Sequence, residues 1–216
     1  MTAASVPALA LETIAVFPLP GIVLFPGTFL PLHIFEHRYR KMLVDCVAGD
    51  GYMAMAFQLD GPEDLDRPPS FAPVAGVGRI VRHDALPDGR SNIVLQGCAR
   101  VRLEELASVT PYRRARAHIL RDVPTPVAAV DRTALLATAA SVAAAARMDD
   151  FALPSAVDPG AMADLCANRL IADPPKRQRI LEAIDVRERV LAVTAFLAER
   201  MGREPRGKRD GRNKPD

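Results

Sequence analysis

The sequence predicts an α+β fold in which a strand-rich first half, interrupted by one helix, gives way to a helical second half. Three observations predict it. Short apolar runs with turn punctuation fill residues 12–120. Beyond residue 123 the apolar period becomes helical and Asp-Pro pairs open the segments. Between them, "DVPTPV" (122–127) places two prolines where neither strand nor helix can continue. The expected organisation is a flexible N-terminus over 1–11 and a β-rich domain over 12–122. A helical bundle over 123–201 and a disordered basic tail over 202–216 follow.

Each element has its own signal. "ETIAVFPL" (12–19), "TFLPLHI" (28–34) and "YMAMAFQL" (52–59) are short apolar runs bounded by Pro-Gly and Asp-Gly pairs. Between 35 and 47, Tyr39, Met42, Leu43, Cys46 and Val47 fall at helical spacing and predict the single inserted helix. Residues 76–86 and 91–106 flank "PDGR", a hairpin turn in which Pro87 presets φ and Gly89 can take positive φ. "YRRARAHIL" (112–120) alternates basic with small or apolar residues, as a strand with one wet face does. In the second half, Asp131 is the expected cap of an Ala-rich helix reaching Met148. Asp158-Pro159 and Asp173-Pro174 each pair an N-cap with Pro at the first helical position. A last helix over 186–201 carries Val190, Val193, Leu197 and Met201 on one stripe. The tail over 202–216 has six basic residues, three acidic ones and no large apolar side chain, so ordering it would bury little.

Composition excludes several classes. With 28 basic and 26 acidic residues nearly cancelling, the formal charge of +2 says little about partners. Three scattered cysteines (Cys46, Cys98, Cys166) without CxxC spacing fit neither a disulfide framework nor a zinc ribbon, and a reducing compartment suits them. No Lys or Arg precedes the first apolar stretch, which Pro7, Glu12, Pro18 and Pro20 break, so no secretory signal is expected. No run of about 18 apolar residues could span a bilayer. A soluble, cytoplasmic protein is expected.

Motifs for chemistry fail one by one. "HIFEH" (33–37) satisfies a zinc-protease pattern, but that site needs His33 and His37 one helical turn apart. "FLPLHIF" is β-branched and aromatic, so His33 belongs to a strand and the helix starts only near residue 35. "GREPRGKR" (202–209) approaches a phosphate loop, yet Arg209 stands where Ser or Thr must hold magnesium, and no strand precedes it. No G-x-S-x-G occurs, and each cysteine sits in an apolar or amphipathic setting where a small core residue is the ordinary role. Adjacent carboxylates Glu104-Glu105 point to opposite faces of a strand. No enzyme, metal or cofactor is expected.

Several stretches form one pattern: in the first half Pro18-Leu19, Leu24-Phe25-Pro26-Gly27, Leu30-Pro31-Leu32, then Ile34-Phe35-Glu36 with Arg38-Tyr39. The hairpin over 76–103 with Gly97 and Arg100, the strand over 111–120 and the helical stretch over 162–193 continue it. Together they resemble the substrate-recognition domain of Lon-type ATP-dependent proteases. The resemblance covers residues 12–201 and implies an antiparallel β-barrel-like, PUA-like first half with one inserted helix, then a helical bundle. It implies a stand-alone recognition domain without ATPase or protease modules.

The function expected is a non-catalytic protein- or peptide-binding module in protein quality control, or an adaptor. Its partners would be unfolded or exposed-apolar protein segments, with a protease or chaperone as a further candidate and no membrane. Alternation in "GYMAMAFQL" puts Met53, Met55 and Phe57 on one face, a candidate groove because methionines adapt to varied partners. The polar loop over 60–75 adds Leu65 and Phe71 as apolar tips. The alternative is an RNA- or other nucleic-acid-binding protein using Arg113, Arg114, Arg116 and the basic tail. Only 5% aromatic residues weaken it, since single-strand binders stack bases on rings.

Overall fold

The computed structural model describes residues 6–59, 70–107, 109–152 and 158–203. A short helix α1 (Ala8–Glu12) leads into β1 (Ile14–Leu19), β2 (Phe29–Ile34), α2 (His37–Ala48), β3 (Tyr52–Phe57), β4 (Val74–Ala85), β5 (Ser91–Leu106) and β6 (Arg113–Leu120). Helices α3 (Ala129–Ala145), α4 (Pro159–Leu170), α5 (Pro174–Glu182) and α6 (Val186–Arg203) follow. All six strands lie where the apolar runs placed them. Residues 8–11, expected within a flexible N-terminus, and Glu12, expected to open the first strand, form α1, where Val6 and Ala10 find apolar neighbours at the end of the sheet. Of the tail over 202–216, residues 204–216 lie outside the described residues.

Among the described residues one sheet holds all six strands, in the order β2-β5-β4-β3-β1-β6, and β6 also pairs with β5. The ladder therefore runs from β5 through β4, β3, β1 and β6 and returns to β5. That return is possible because β5 is 16 residues long: its first half pairs with β2 and its second with β6. The expected antiparallel arrangement needs one correction. β1 pairs with β3 in parallel, Val16 opposite Ala54 and Leu19 opposite Phe57. Parallel neighbours need a crossover connection, and α2 together with β2 supplies it; the inserted helix is the reason the sheet is mixed.

Alternation in β3 sorts its side chains into two cores. Tyr52, Ala54 and Ala56 pack with Val16, Val77 and Val101, while Met53 and Met55 pack with Tyr39, Met42 and Leu43 of α2. Both faces are covered, which is why the strand reads as a continuous apolar run. The stripe on α2 is buried as expected except for Val47, which is exposed. At the hairpin, Gly89 takes φ +79° and the Arg40 side chain of α2 lies over it.

The helices start where carboxylates can cap them. Asp158 accepts from the Gly160 and Ala161 N–H groups at 2.9 and 3.2 Å, with Pro159 behind it. Asp173 accepts from Lys176 N–H at 3.3 Å, and Asp185 accepts from Glu188 N–H at 2.9 Å. The exception is α3. Its cap position is Ala128, and Asp131, expected as the cap, lies in the first turn at 3.6 Å from Arg187. The helix closes early through Arg147, whose φ of +53° lets Met148 N–H reach Ala143 O at 3.0 Å and Arg147 N–H reach Ala144 O. That is the Schellman closure with arginine in the place usually held by glycine.

A buried charge cluster joins strands to helices. Arg100 of β5 donates to Asp164 of α4 and, at 3.0 Å, to the Leu181 carbonyl of α5. Arg189 of α6, which exposes none of its surface, donates to Asp122 and stands 3.5 Å from Asp164. Burial works against the Arg189 charge, but its hydrogen bond to Asp122 and the carboxylates of Asp164, Asp122 and Asp158 outweigh it and raise its pKa. Burial pushes the Asp164 carboxyl up, opposed by the two guanidiniums. The two buried cations are balanced by buried Asp164 and by Asp122, which is 37% exposed at the rim of the cluster. Gln178 adds a tie from α5 to the sheet, donating to Val74 O at 2.9 Å.

Candidate protein-binding face

The outward face of β2, β5 and β4 is built by register. Phe29, Gln96 and Arg79 stand in one row, Pro31, Val94 and Arg82 in the next, and His33, Asn92 and Asp84 in the third. Opposed residues of a sheet share a face, so Phe29, Pro31 and His33 line its margin. Phe29 is 54% exposed and Phe35, just past the strand, 58%. The His33 ring stacks on Phe35 with centroids 6.0 Å apart and bonds Asn92 Oδ1 through Nδ1 at 2.7 Å. Arg82 pairs with Asp84 at 2.8 Å. A shallow depression of about 440 Å³ lies over Pro31, Leu32, His33, Arg82, Asp84 and Val94. The opposite face of the same strands is core: Ile34, Ile93 and Leu95 pack beneath α2.

His33 thus belongs to a strand and His37 opens a helix, as the residue types around them predict. Among the described residues, those the sequence offers for peptide binding do not share one surface. Met53 and Met55 are fully buried under α2, a correction to their reading as a groove: a strand paired on both edges and packed on both faces presents no surface. Phe57 is half-buried against the helical core. Phe71 is half-buried beneath the Arg113 guanidinium, 4.2 Å above its ring. Leu65 lies outside the described residues. Phe29 and Phe35 were legible as strand and turn residues, but nothing in their local sequence says that β2 lies at the margin of the sheet.

Other chemistry finds little support among the described residues. Burial pushes the Cys46 and Cys166 thiols up to about 12 and raises Cys98, so none carries the thiolate that reactivity needs. The arginines of β6 are engaged. Arg113 donates to Glu105 at 2.6 Å, Arg114 to Thr13 O at 3.1 Å, and Arg116 stands 3.4 Å from Glu12 and 3.7 Å from Glu104. No described helix is long and apolar enough to cross a membrane.

Residues 13–199 match the family described as the ATP-dependent protease La (LON) substrate-binding domain. The chain belongs to the Lon substrate-binding domain family. The Lon protease of Roseiflexus castenholzii is 35% identical over 192 residues, which cover 86% of this chain and 24% of that protein. Lon protease 2 of Bdellovibrio bacteriovorus is 27% identical over 195 residues, with 87% and 24% covered. The chain spans about a quarter of the length of these Lon relatives. Its fold matches that of the N-terminal domain of the Mycobacterium avium complex Lon protease, with a TM-score of 0.66 at 14% identity, covering 87% of this chain and 99% of that one. A Lon N-terminal domain protein from Xanthomonas campestris gives 0.64 at 20% identity, covering 85% and 98%. The chain thus has an α+β fold like that of these Lon N-terminal domains, with a mixed six-stranded sheet and six helices among its described residues.

Proposed function

We propose that this chain is a recognition module that captures exposed apolar segments of other proteins on the β2–β5–β4 face, in protein quality control or as an adaptor, and breaks no bonds itself. The reading is supported by family membership and by the return of the ladder to β5, which suits the PUA-like barrel expected of a recognition domain. One observation carries it: two phenylalanines more than half exposed bracket an uncharged strand at the sheet margin. Such a patch stays in water only at a cost that a partner can relieve, at about 25 cal/mol per Å² covered. The nucleic-acid alternative loses its main donors, because Arg113 and Arg116 are neutralised by nearby glutamates.

The experiment is binding of a reduced and alkylated, permanently unfolded protein at low and high salt. Replacing both aromatics (Phe29→Ser with Phe35→Ser) is expected to weaken binding roughly 30- to 150-fold, since covering two half-exposed rings contributes about 2 to 3 kcal/mol. The melting temperature should hardly move, because both rings already face water. Unchanged affinity in the double variant would sink the assignment of this face. Retention on single-stranded RNA that fades steeply with salt would favour the alternative.

A further inference from the structure

We propose that the recognised segment adds as an extended strand along the open edge of β2, so that the chain selects uncharged, strand-forming main chain and not apolar side chains alone. This deepens the reading above and rests on it. The topology is the first support: among the described residues β2 pairs along one edge only, with β5, while every other strand has a partner on each side. The main-chain alternation is the second. Gly97 N–H donates to Thr28 O at 2.8 Å, so even-numbered positions along β2 aim their main-chain groups at β5. Positions 29, 31 and 33 then aim outward and offer the carbonyls of all three and the N–H groups of Phe29 and His33.

Edge strands of globular proteins are ordinarily blunted by charge or covered. "FLPLHI" carries no Asp, Glu, Lys or Arg; the next charges along the chain, Glu36 and Arg38, close on each other at 2.8 Å, and on the neighbouring strand Arg82 and Asp84 do the same. An added strand would find Phe29, Pro31 and His33 beside it on one face, and half-buried Leu30 and Leu32 on the other. Apolar neighbours on both faces suit a segment that is a buried strand in its own folded protein and appears only when that protein opens. Charge matching says the same: a neutral edge disfavours a charged occupant, which would leave water without a counter-charge. Pro31 argues against a second copy of this chain. Its ring removes an outward donor, a common device on edges, and two β2 edges laid together would lose donors from both strands, whereas a client strand meets the gap once.

The test uses the intact protein and a capped, uncharged heptapeptide of alternating threonine and valine. Strand addition predicts main-chain nuclear Overhauser contacts between the peptide and residues 29, 31 and 33. Exchange of the Phe29 and His33 amides should slow at least tenfold on binding. N-methylation of the alternate peptide amides that face β2 should weaken binding at least tenfold, and methylation of the other set less than twofold. Binding with side-chain contacts only, and equal tolerance of both methylation sets, would overturn strand addition while leaving the face itself intact. Failure of the heptapeptide to bind while the unfolded protein still does would also overturn it, as would contacts linking β2 of two copies. If instead the Phe29→Ser, Phe35→Ser variant holds the unfolded protein as tightly as before, it is the underlying face that fails.

Discussion

Replacing Gly97 by alanine is expected to destabilise the protein by about 3 kcal/mol or more. A methyl group there would stand 2.0 Å from the Phe25 carbonyl oxygen and 3.3 Å from the Leu24 side chain. The obstacle is main chain, fixed in turn by Gly27 N–H donating to Gly97 O at 2.9 Å, so no rotamer change relieves it. Gly76 has the same relation to Leu24 O, again at 2.0 Å, and the two glycines together let residues 24–25 lie across β4 and β5. For a chain of this size, that loss corresponds to a fall in melting temperature of roughly 6 to 12 °C, measurable by calorimetry. Gly27 is the control. It takes φ +77° with nothing within 4 Å of an added methyl, so Gly27→Ala should cost only about 1 kcal/mol of backbone strain. If Gly97→Ala melts no lower than Gly27→Ala, the close approach of these segments is wrong.

The second large effect is expected at Asp164. Its side chain is 3% exposed and lies between Arg100 and Arg189. Asp164→Ala leaves two buried guanidiniums sharing the one partly exposed carboxylate of Asp122. Removing one partner of a buried ion pair typically costs 3 to 5 kcal/mol, because the stranded charge stays desolvated. Urea unfolding should show that loss with a slope unchanged from the parent. Asp122→Ala removes a partly hydrated group and should cost less. Equal losses for the two, or a loss at Asp164 below about 1 kcal/mol, would mean the cluster does not hold sheet and helices together.

Much of this architecture was legible because its signals are local. Pro-Gly and Asp-Gly pairs bound the strands, and Asp158-Pro159 and Asp173-Pro174 open helices where the carboxylates do cap. Non-local features were not. The parallel pairing of β1 with β3 is a property of connectivity, and only the helix inserted between them hints at it. Asp131 looked like a cap because nothing at Ala128 advertises one; packing of Leu135, Ala139 and Val142 sets that helix instead. Gly97 and Arg100 were visible as part of a family resemblance, but their physical reasons, a carbonyl at 2.0 Å and a carboxylate 64 residues away, exist only in three dimensions. The proposed binding face is not legible in the sequence for a related cause. Alternation correctly separated Met53 and Met55 from Tyr52 and Ala54, yet alternation cannot say whether either side is open. Phe29 and Phe35 stand exposed where β2 is marginal in the sheet, and that follows from the pairing of all six described strands.

The most direct measurement is a residue-by-residue hydrogen-exchange footprint of the intact chain, with and without saturating unfolded protein. Slowed exchange concentrated in residues 29–35, 79–84 and 92–96 is the predicted result. A footprint confined to β6 or to the outer surfaces of α3 and α6, with β2 unaffected, would contradict it.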